Sequence, residues 1–309
     1  MAQMSCVICL EGGATHVCEC SLFHVHCFSN YLLRNGQQQD CSICYSRFDR
    51  AMLSAASSIS FARTQDVFGP THGTTLVRKL ELASALANSG CLSEAKRLFE
   101  EIIAAFPEPP WLVTVSKVEL ARTLRDSGEI RAACDVLEGL VPCLARATAI
   151  WAHYEHVEAC TLLGACYMSL GRLDQAERNL FFAMDNHLKN EHCQTKKVVQ
   201  CMRHIANYYE ARSDFALARE THRVALSIVE AEEYDPARIA LANLHLANAE
   251  MQVGAVPLAA TRFRGAILAL RRRKHDGYAL EALPDARRKL ASLIRPSKRL
   301  RAKTCPEDC

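Results

Sequence analysis

From about residue 75 to about residue 275 the apolar positions recur with a period near 3.6, the pattern of helices that each bury one face. One signature repeats along this stretch, most clearly as Leu163, Gly164, Tyr167, Gly171, Ala176, Leu180 and Ala183. The same offsets give Leu82, Ala83, Leu86, Gly90, Ala95, Phe99 and Ile102, then Leu120, Ala121, Leu124, Gly128, Ala133, Leu137 and Leu140. They recur as Ile205, Ala206, Tyr209, Ser213, Ala218, His222 and Ala225, and as Leu246, Ala247, Glu250, Gly254, Ala259, Phe263 and Ala266. The copies start 38, 43, 42 and 41 residues apart, and only His222 and Glu250 fit the pattern poorly. A small residue after the leading Leu or Ile lets two helices approach closely. The Gly eight positions after the Leu ends the first helix in a left-handed cap. The Ala five positions later packs where a larger side chain would clash. Recurrence in register argues for a repeat array over a bundle of unrelated helices. A last helix, near Leu280 to Ile294, is expected to close the apolar end of the stack, with Pro284 near its start and Pro296 beyond its end.

Outside this stretch the periodicity lapses. Residues 51–74 are rich in Ser, Ala, Thr and Gly and end in Gly69, Pro70 and Gly73, which reads as a linker with a helical first half. Residues 295–309 form a tail whose first nine positions are strongly basic, and Arg271 to Lys274 is a second basic run. Such runs serve nuclear import or polyanion contact, or are simply solvated. The apolar stretch from Ala132 to Ala152 is broken by Asp135, Glu138 and Arg146, so no transmembrane helix is expected. The start, Met1 to Cys6, lacks the basic and apolar regions of a signal peptide. Four parts result: a compact segment at 1–50, the linker at 51–74, a mainly α solenoid at 75–294 and the tail.

Half of the 309 residues are hydrophobic and 23% are charged, a globular composition. A net charge of +3 makes nucleic acid an unlikely partner. Of 16 cysteines, seven fall in the first 44 residues and seven are scattered from Cys91 to Cys201 in helical, apolar surroundings. That usage points to a reducing compartment, cytosol or nucleus. No phosphate-cradling loop or nucleophilic triad is visible.

The first 44 residues carry the chemistry. Cys6, Cys9, Cys18, Cys20, His24, Cys27, Cys41 and Cys44 form pairs spaced C-x-x-C, C-x-C, H-x-x-C and C-x-x-C. Eight such ligands make two tetrahedral zinc sites. A segment of about 50 residues buries too little core to fold unaided, and structural zinc supplies the stabilisation.

The ligand order resembles both the RING-CH variant of RING fingers and the PHD finger. The C-x-C pair, the run Cys27, Phe28, Tyr31, Leu32, and the ending Cys41, Ile43, Cys44, Arg47, Phe48 resemble RING-CH. The resemblance implies a cross-brace, with Cys6, Cys9, His24 and Cys27 on one zinc and Cys18, Cys20, Cys41 and Cys44 on the other. Only three residues separate Cys20 from His24, fewer than in that family, which leaves His26 as the alternative to His24. The resemblance also implies a RING-type ubiquitin transferase. Such a finger binds a ubiquitin-conjugating enzyme and orients its charged ubiquitin without a covalent intermediate. The matching contact positions are Ile8, Tyr31, Leu32, Ser42 and Ile43. Both zincs would be structural, since every ligand position is filled.

The repeated signature resembles the tetratricopeptide repeat, at a length similar to that of kinesin light chains. This implies a superhelix whose first helices line a concave groove for a protein or peptide. Arg203, Asn207 and Glu210 of the fourth copy, and Asn248, Met251 and Gln252 of the fifth, would face that groove. Arg203 and Asn207 match positions that grip a carboxylate in some members, but His245 stands where an Asn is expected. The whole then reads as a RING-type ligase whose repeats recruit a soluble substrate, or else as a non-enzymatic scaffold; a PHD-like reader fits less well, because the finger's few carboxylates form no clear cage.

Overall fold

The computed structural model describes residues 6, 8–9, 14–17, 22–35, 48–105, 111–190, 194–232, 236–272 and 277–294. A short antiparallel hairpin, β1 (Thr15–His16) and β2 (Leu22–Phe23), pairs Thr15 with Phe23 and His16 with Leu22. Two helices follow, α1 (Val25–Asn35) and α2 (Arg50–Phe68). Five pairs come next: α3 (Gly73–Asn88) with α4 (Leu92–Ala105), α5 (Trp111–Asp126) with α6 (Ile130–Arg146), and α7 (Ile150–Ser169) with α8 (Leu173–Lys189). The last two are α9 (Thr195–Ala211) with α10 (Phe215–Ala231), and α11 (Pro236–Gln252) with α12 (Val256–Arg271). Helix α13 (Gly277–Ile294) closes the stack.

Each pair coincides with one copy of the signature, and its residues do what their chemistry predicts. The first helices end in left-handed turns at Gly90, Gly128, Gly171 and Gly254, with φ of 84°, 87°, 72° and 79°. In the fourth copy Ser213 takes the same turn at φ 64°, a conformation uncommon for a residue with a Cβ. Ala95, Ala133, Ala176, Ala218 and Ala259 are all fully buried where the second helix crosses the first. Consecutive helices pack on each other, and α3, α5, α7 and α9 also touch their next-but-one neighbours, which makes a solenoid.

The two misfits to the signature are buried polar side chains with specific surroundings. Glu250 accepts from Arg262 Nε at 2.8 Å, and Arg262 Nη1 donates to Asn243 Oδ1 at 2.9 Å. The ring of His222 stacks on His245, with centroids 5.6 Å apart, and lies 3.9 Å from Glu210.

The helical first half expected of residues 51–74 is present, but the helix runs on to Phe68 and α3 begins at Gly73, so only 69–72 are left as a connection. Asp49 caps α2 by accepting from the Met52 N–H at 2.9 Å, and the helix then runs for 19 residues. Leu53, Ala56, Ser57 and Ser60 are buried against α1 and α3. The Ser and Ala content that resembles a linker is what allows this close helix approach. Arg63 Nη1 donates to Asn30 Oδ1 at 2.8 Å, and Ser89 Oγ donates to the Arg50 carbonyl at 3.0 Å. One apolar core therefore runs from Val17, Phe23, Phe28 and Leu32 through Phe48, Leu53 and Ala56 to Ala85 of α3.

Helix α13 begins three residues before its expected start, which leaves Pro284 inside it without a backbone donor. Among the described residues no helix is long and apolar enough to cross a membrane. The tail at 295–309 lies outside the described residues, as do positions 273 and 274 of the second basic run.

Candidate metal centre and repeat groove

The hairpin and the first turn of α1 assemble one ligand set. His24 directly follows β2, and its carbonyl accepts the Phe28 N–H at 2.9 Å, so His24 and Cys27 lie one helical turn apart on a single face. Cys6 and Cys9 come from the preceding knuckle. One donor atom from each of Cys6, Cys9, His24 and Cys27 lies within 4.8 Å of the other three. Tetrahedral zinc–thiolate geometry places sulfurs about 3.8 Å apart, so a small contraction would seat an ion. The Nδ1 of His24 lies 3.3 Å from Cys9 Sγ. Of the two candidate histidines the group contains His24, whereas His26 is exposed and outside it.

The electrostatics of the group suit a soft divalent cation. Burial works against the Cys6 thiolate, but N–H groups of Cys9, His24 and Ile8 outweigh it and bring the thiol down to about 6. Burial, hydrogen bonds that the Cys27 S–H donates to the Cys9 and Cys6 sulfurs, and the charge of those two groups push Cys27 up to about 11. Three sulfurs and an imidazole are a donor set that zinc would stabilise. Cys18, Cys20, Cys41 and Cys44 lie outside the described residues, so the structure describes one centre.

The expected contact surface for a conjugating enzyme is only partly exposed. Ile8, between the first two cysteines, is 49% exposed. Leu32 is 2% exposed and belongs to the core, which corrects its assignment as a contact: its face of α1 is committed to α2. Tyr31 is half-buried among Phe23, Phe28 and Phe48, with centroids 5.5, 6.2 and 6.5 Å away. Ser42 and Ile43 lie outside the described residues.

In the solenoid, Asn207 and Gln252 are exposed, and Arg203, Glu210, Asn248 and Met251 are half-buried. The Asn248 Oδ1 is buried with no hydrogen-bond partner among the described residues, as is His204 Nε2. Burial, Arg203, Arg125 and Arg122 bring His204 down to about 3. Burial and Arg203 bring His222 to about 4, and burial with Arg203, His222 and Lys289 brings His245 to about 3. All three rings are therefore neutral near pH 7.

A charged network that the repeat pattern did not reveal ties three first helices together. Glu158 of α7 receives Arg122 of α5 at 2.6 Å and Lys197 of α9 at 3.2 Å, while Arg122 also meets Glu119 at 3.4 Å. Burial opposes the Glu158 charge, but Lys197 and Arg122 outweigh it and hold the carboxyl at about 2. Their offsets from the leading Leu or Ile differ: two after it for Arg122, five before for Glu158 and eight before for Lys197. Comparing copies position by position therefore misses the cluster.

No family model matches the chain, and no curated protein matches it either. Solved structures do match. BtubC (BKLC) from P. vanneervenii is 17% identical with a TM-score of 0.53, over 84% of this chain and 99% of its own. PlcR of Bacillus thuringiensis, solved in complex with the peptide PapR7 and DNA, is 9% identical with a TM-score of 0.55, over 79% of this chain and 84% of its own. The APC/C hetero-tetramer Cut9-Hcn1 is 15% identical with a TM-score of 0.54, over 80% of this chain and 48% of the matched chain. At these identities the likeness is one of fold. The chain is a tetratricopeptide-like helical solenoid preceded by a cysteine–histidine group able to hold one metal ion.

Proposed function

We propose that this chain is a protein-interaction scaffold whose solenoid holds a protein or peptide partner along its first helices. The observation that carries this reading is the side-by-side stacking of α3, α5, α7 and α9, which continues a single lining built from first helices. The lining carries exposed polar groups, among them Asn207 of α9. Two of the similar solenoids were solved with a peptide or within a hetero-tetramer, which supports the same use. Quantitative affinity capture tests it, comparing the native chain with an Arg203→Ala, Asn207→Ala, Asn248→Ala variant. Partners lost at least tenfold by the variant are expected. If every captured protein is retained equally, the groove is not the binding surface.

The second reading is a RING-type ubiquitin transferase, and Ile8 favours it. An exposed apolar side chain between Cys6 and Cys9 stands where the RING resemblance puts a conjugating-enzyme contact. In that reading Cys6, Cys9, His24 and Cys27 hold one structural zinc and Cys18, Cys20, Cys41 and Cys44 a second. The segment orients the charged enzyme, and the solenoid brings the substrate. Autoubiquitination with a panel of conjugating enzymes tests it. Zinc-dependent chains that Ile8→Ala abolishes support it, and the modified lysines should begin at Lys79, the first in the sequence. No chains with any enzyme of the panel leaves the scaffold alone.

A further inference from the structure

A triad of glutamate, tyrosine and arginine occurs at two consecutive junctions of the solenoid with nearly the same geometry. At the first, the Tyr167 hydroxyl donates to Glu138 at 2.9 Å, Arg172 lies 3.7 Å from Glu138, and its guanidinium is 5.9 Å from the Tyr167 ring centroid. At the second, the Tyr208 hydroxyl donates to Glu177 at 2.7 Å, Arg212 lies 3.7 Å from Glu177, and its guanidinium is 5.9 Å from the Tyr208 centroid. Each triad joins a second helix to the next first helix. Repetition marks it as a structural staple.

What differs is the company of the second triad. One turn after the glutamate the first junction has Pro142 and the second has Phe181; next to the tyrosine stand Met168 and Tyr209 respectively. Phe181 and Tyr209 are nearly perpendicular, at 79° with centroids 6.2 Å apart, and each also meets Tyr208, at 6.1 and 5.5 Å. The three rings line a cavity of about 410 Å³ together with Glu177, Arg212 and Asp214. Phe181 is 39% exposed, so its ring faces solvent in part. Arg212 is the one cation among these lining residues, and Glu177 already neutralises it. Asp214 Oδ1 accepts the Leu217 N–H at 3.3 Å to cap α10, and Oδ2 has no partner among the described residues. Asp174 adds negative charge beside Arg212. A perpendicular aromatic corner with surplus carboxylate fits a planar cation, which can stack on a ring and pair with a carboxylate at once.

We propose that this cavity, formed by Phe181, Tyr208, Tyr209, Glu177 and Asp214, binds an arginine side chain of a partner peptide. It is distinct from the groove, because none of the six groove positions lines it. The planes of Phe181 and Tyr209 hold the guanidinium, and Asp214 Oδ2 takes its N–H groups. Tyr208 and Arg212 fix the walls.

The test is fluorescence anisotropy on the full-length, zinc-loaded chain. The probe is a fluorescein-labelled glycine pentapeptide with one central arginine, against the same peptide with glutamine. Saturable binding of the arginine peptide, at least tenfold tighter than the glutamine peptide, is expected. Phe181→Ala should weaken it at least tenfold. Asp214→Asn should weaken it at least fivefold while keeping the helix cap, since Asn caps as well as Asp. Glu138→Gln at the other junction and the triple groove variant should leave it unchanged. Equal binding of the two peptides, or an arginine peptide that ignores Phe181→Ala and Asp214→Asn, overturns the proposal. So does no binding at all. Loss through the groove variant alone would assign the arginine to the groove instead.

Discussion

Gly164→Ala probes a close helix contact in the solenoid. A Cβ built on Gly164 would lie 2.7 Å from Leu180 Cγ, 2.8 Å from Leu180 Cδ2 and 3.3 Å from the Ala176 carbonyl. Leu180 and Ala176 are fully buried, so neither can withdraw into solvent. Overpacking of this kind costs about 1–3 kcal/mol. Alanine is favoured over glycine inside a helix by about 1 kcal/mol, which works the other way. The net expectation is a loss of about 0–2 kcal/mol. Gly139 in α6 and Gly265 in α12 supply the control, since a Cβ at either meets nothing within 4 Å. There Gly→Ala should stabilise by about 0.5–1 kcal/mol. The gap between Gly164→Ala and the controls then removes the propensity effect and leaves about 1–3 kcal/mol of steric cost. Urea unfolding followed by circular dichroism reads all three, compared only where the slope is unchanged. If Gly164→Ala stabilises as much as Gly139→Ala, the close approach of α7 and α8 is not what the leading Leu-Gly pair encodes.

Removing the metal by chelation, or by Cys27→Ser, should raise amide exchange in α1 and α2 and at the α3 turn around Ala85, because one core spans them; exchange confined to residues before Arg50 would show that the core is not cooperative. His204, His222 and His245 are held below their unfolded value near 6.5, so each contributes stability above that pH and loses it as pH falls toward 4 to 3. Unfolding free energies from urea titrations should therefore fall between pH 6.5 and 5, by at most about 1.4 kcal/mol per pH unit per histidine, and a pH-independent value would place the rings in water. Glu158 is the depressed-carboxylate case: its contribution is full above about pH 4.5 and lost as pH falls through about 2. Discounted for the partial exposure of Lys197 and Arg122, Glu158→Gln should cost about 2 kcal/mol at pH 7, measured by the same unfolding, and a change below about 0.5 kcal/mol would make the network ornamental.

The sequence and the structure agree most closely where a residue type has a single local reason. A left-handed turn prefers glycine, so four turns were legible, and the register of the copies located the fifth at Ser213. The ligand quartet was legible because C-x-x-C and H-x-x-C each fold back on one point. Helix α2 was legible only as the helical half of a linker, because Ala56, Ser57 and Ser60 have the composition of one, and only their partners across space reveal the reason for small side chains. Leu32 matched a contact position by motif alone, and a motif does not show that its helix is shared with α2. His222 and Glu250 broke the pattern because the stacked His245 ring and Arg262 compensate from other helices. Arg122, Glu158 and Lys197 never share a register position, so their meeting is a property of the superhelix alone.

Helix α2 lies on α3 at one end of the array, and α13 lies on α12 at the other. A stack of helix pairs has two raw ends, each a ready surface for the same surface of another copy. Here both are covered by helices outside the five-copy pattern, and the first cover is held to α1 of the cysteine–histidine segment by Arg63 and Asn30, and to α3 by Ser89 and the Arg50 carbonyl. With α2 on α3 and α13 on α12, neither terminal pair of the described array offers a bare face on which a second copy could stack end to end.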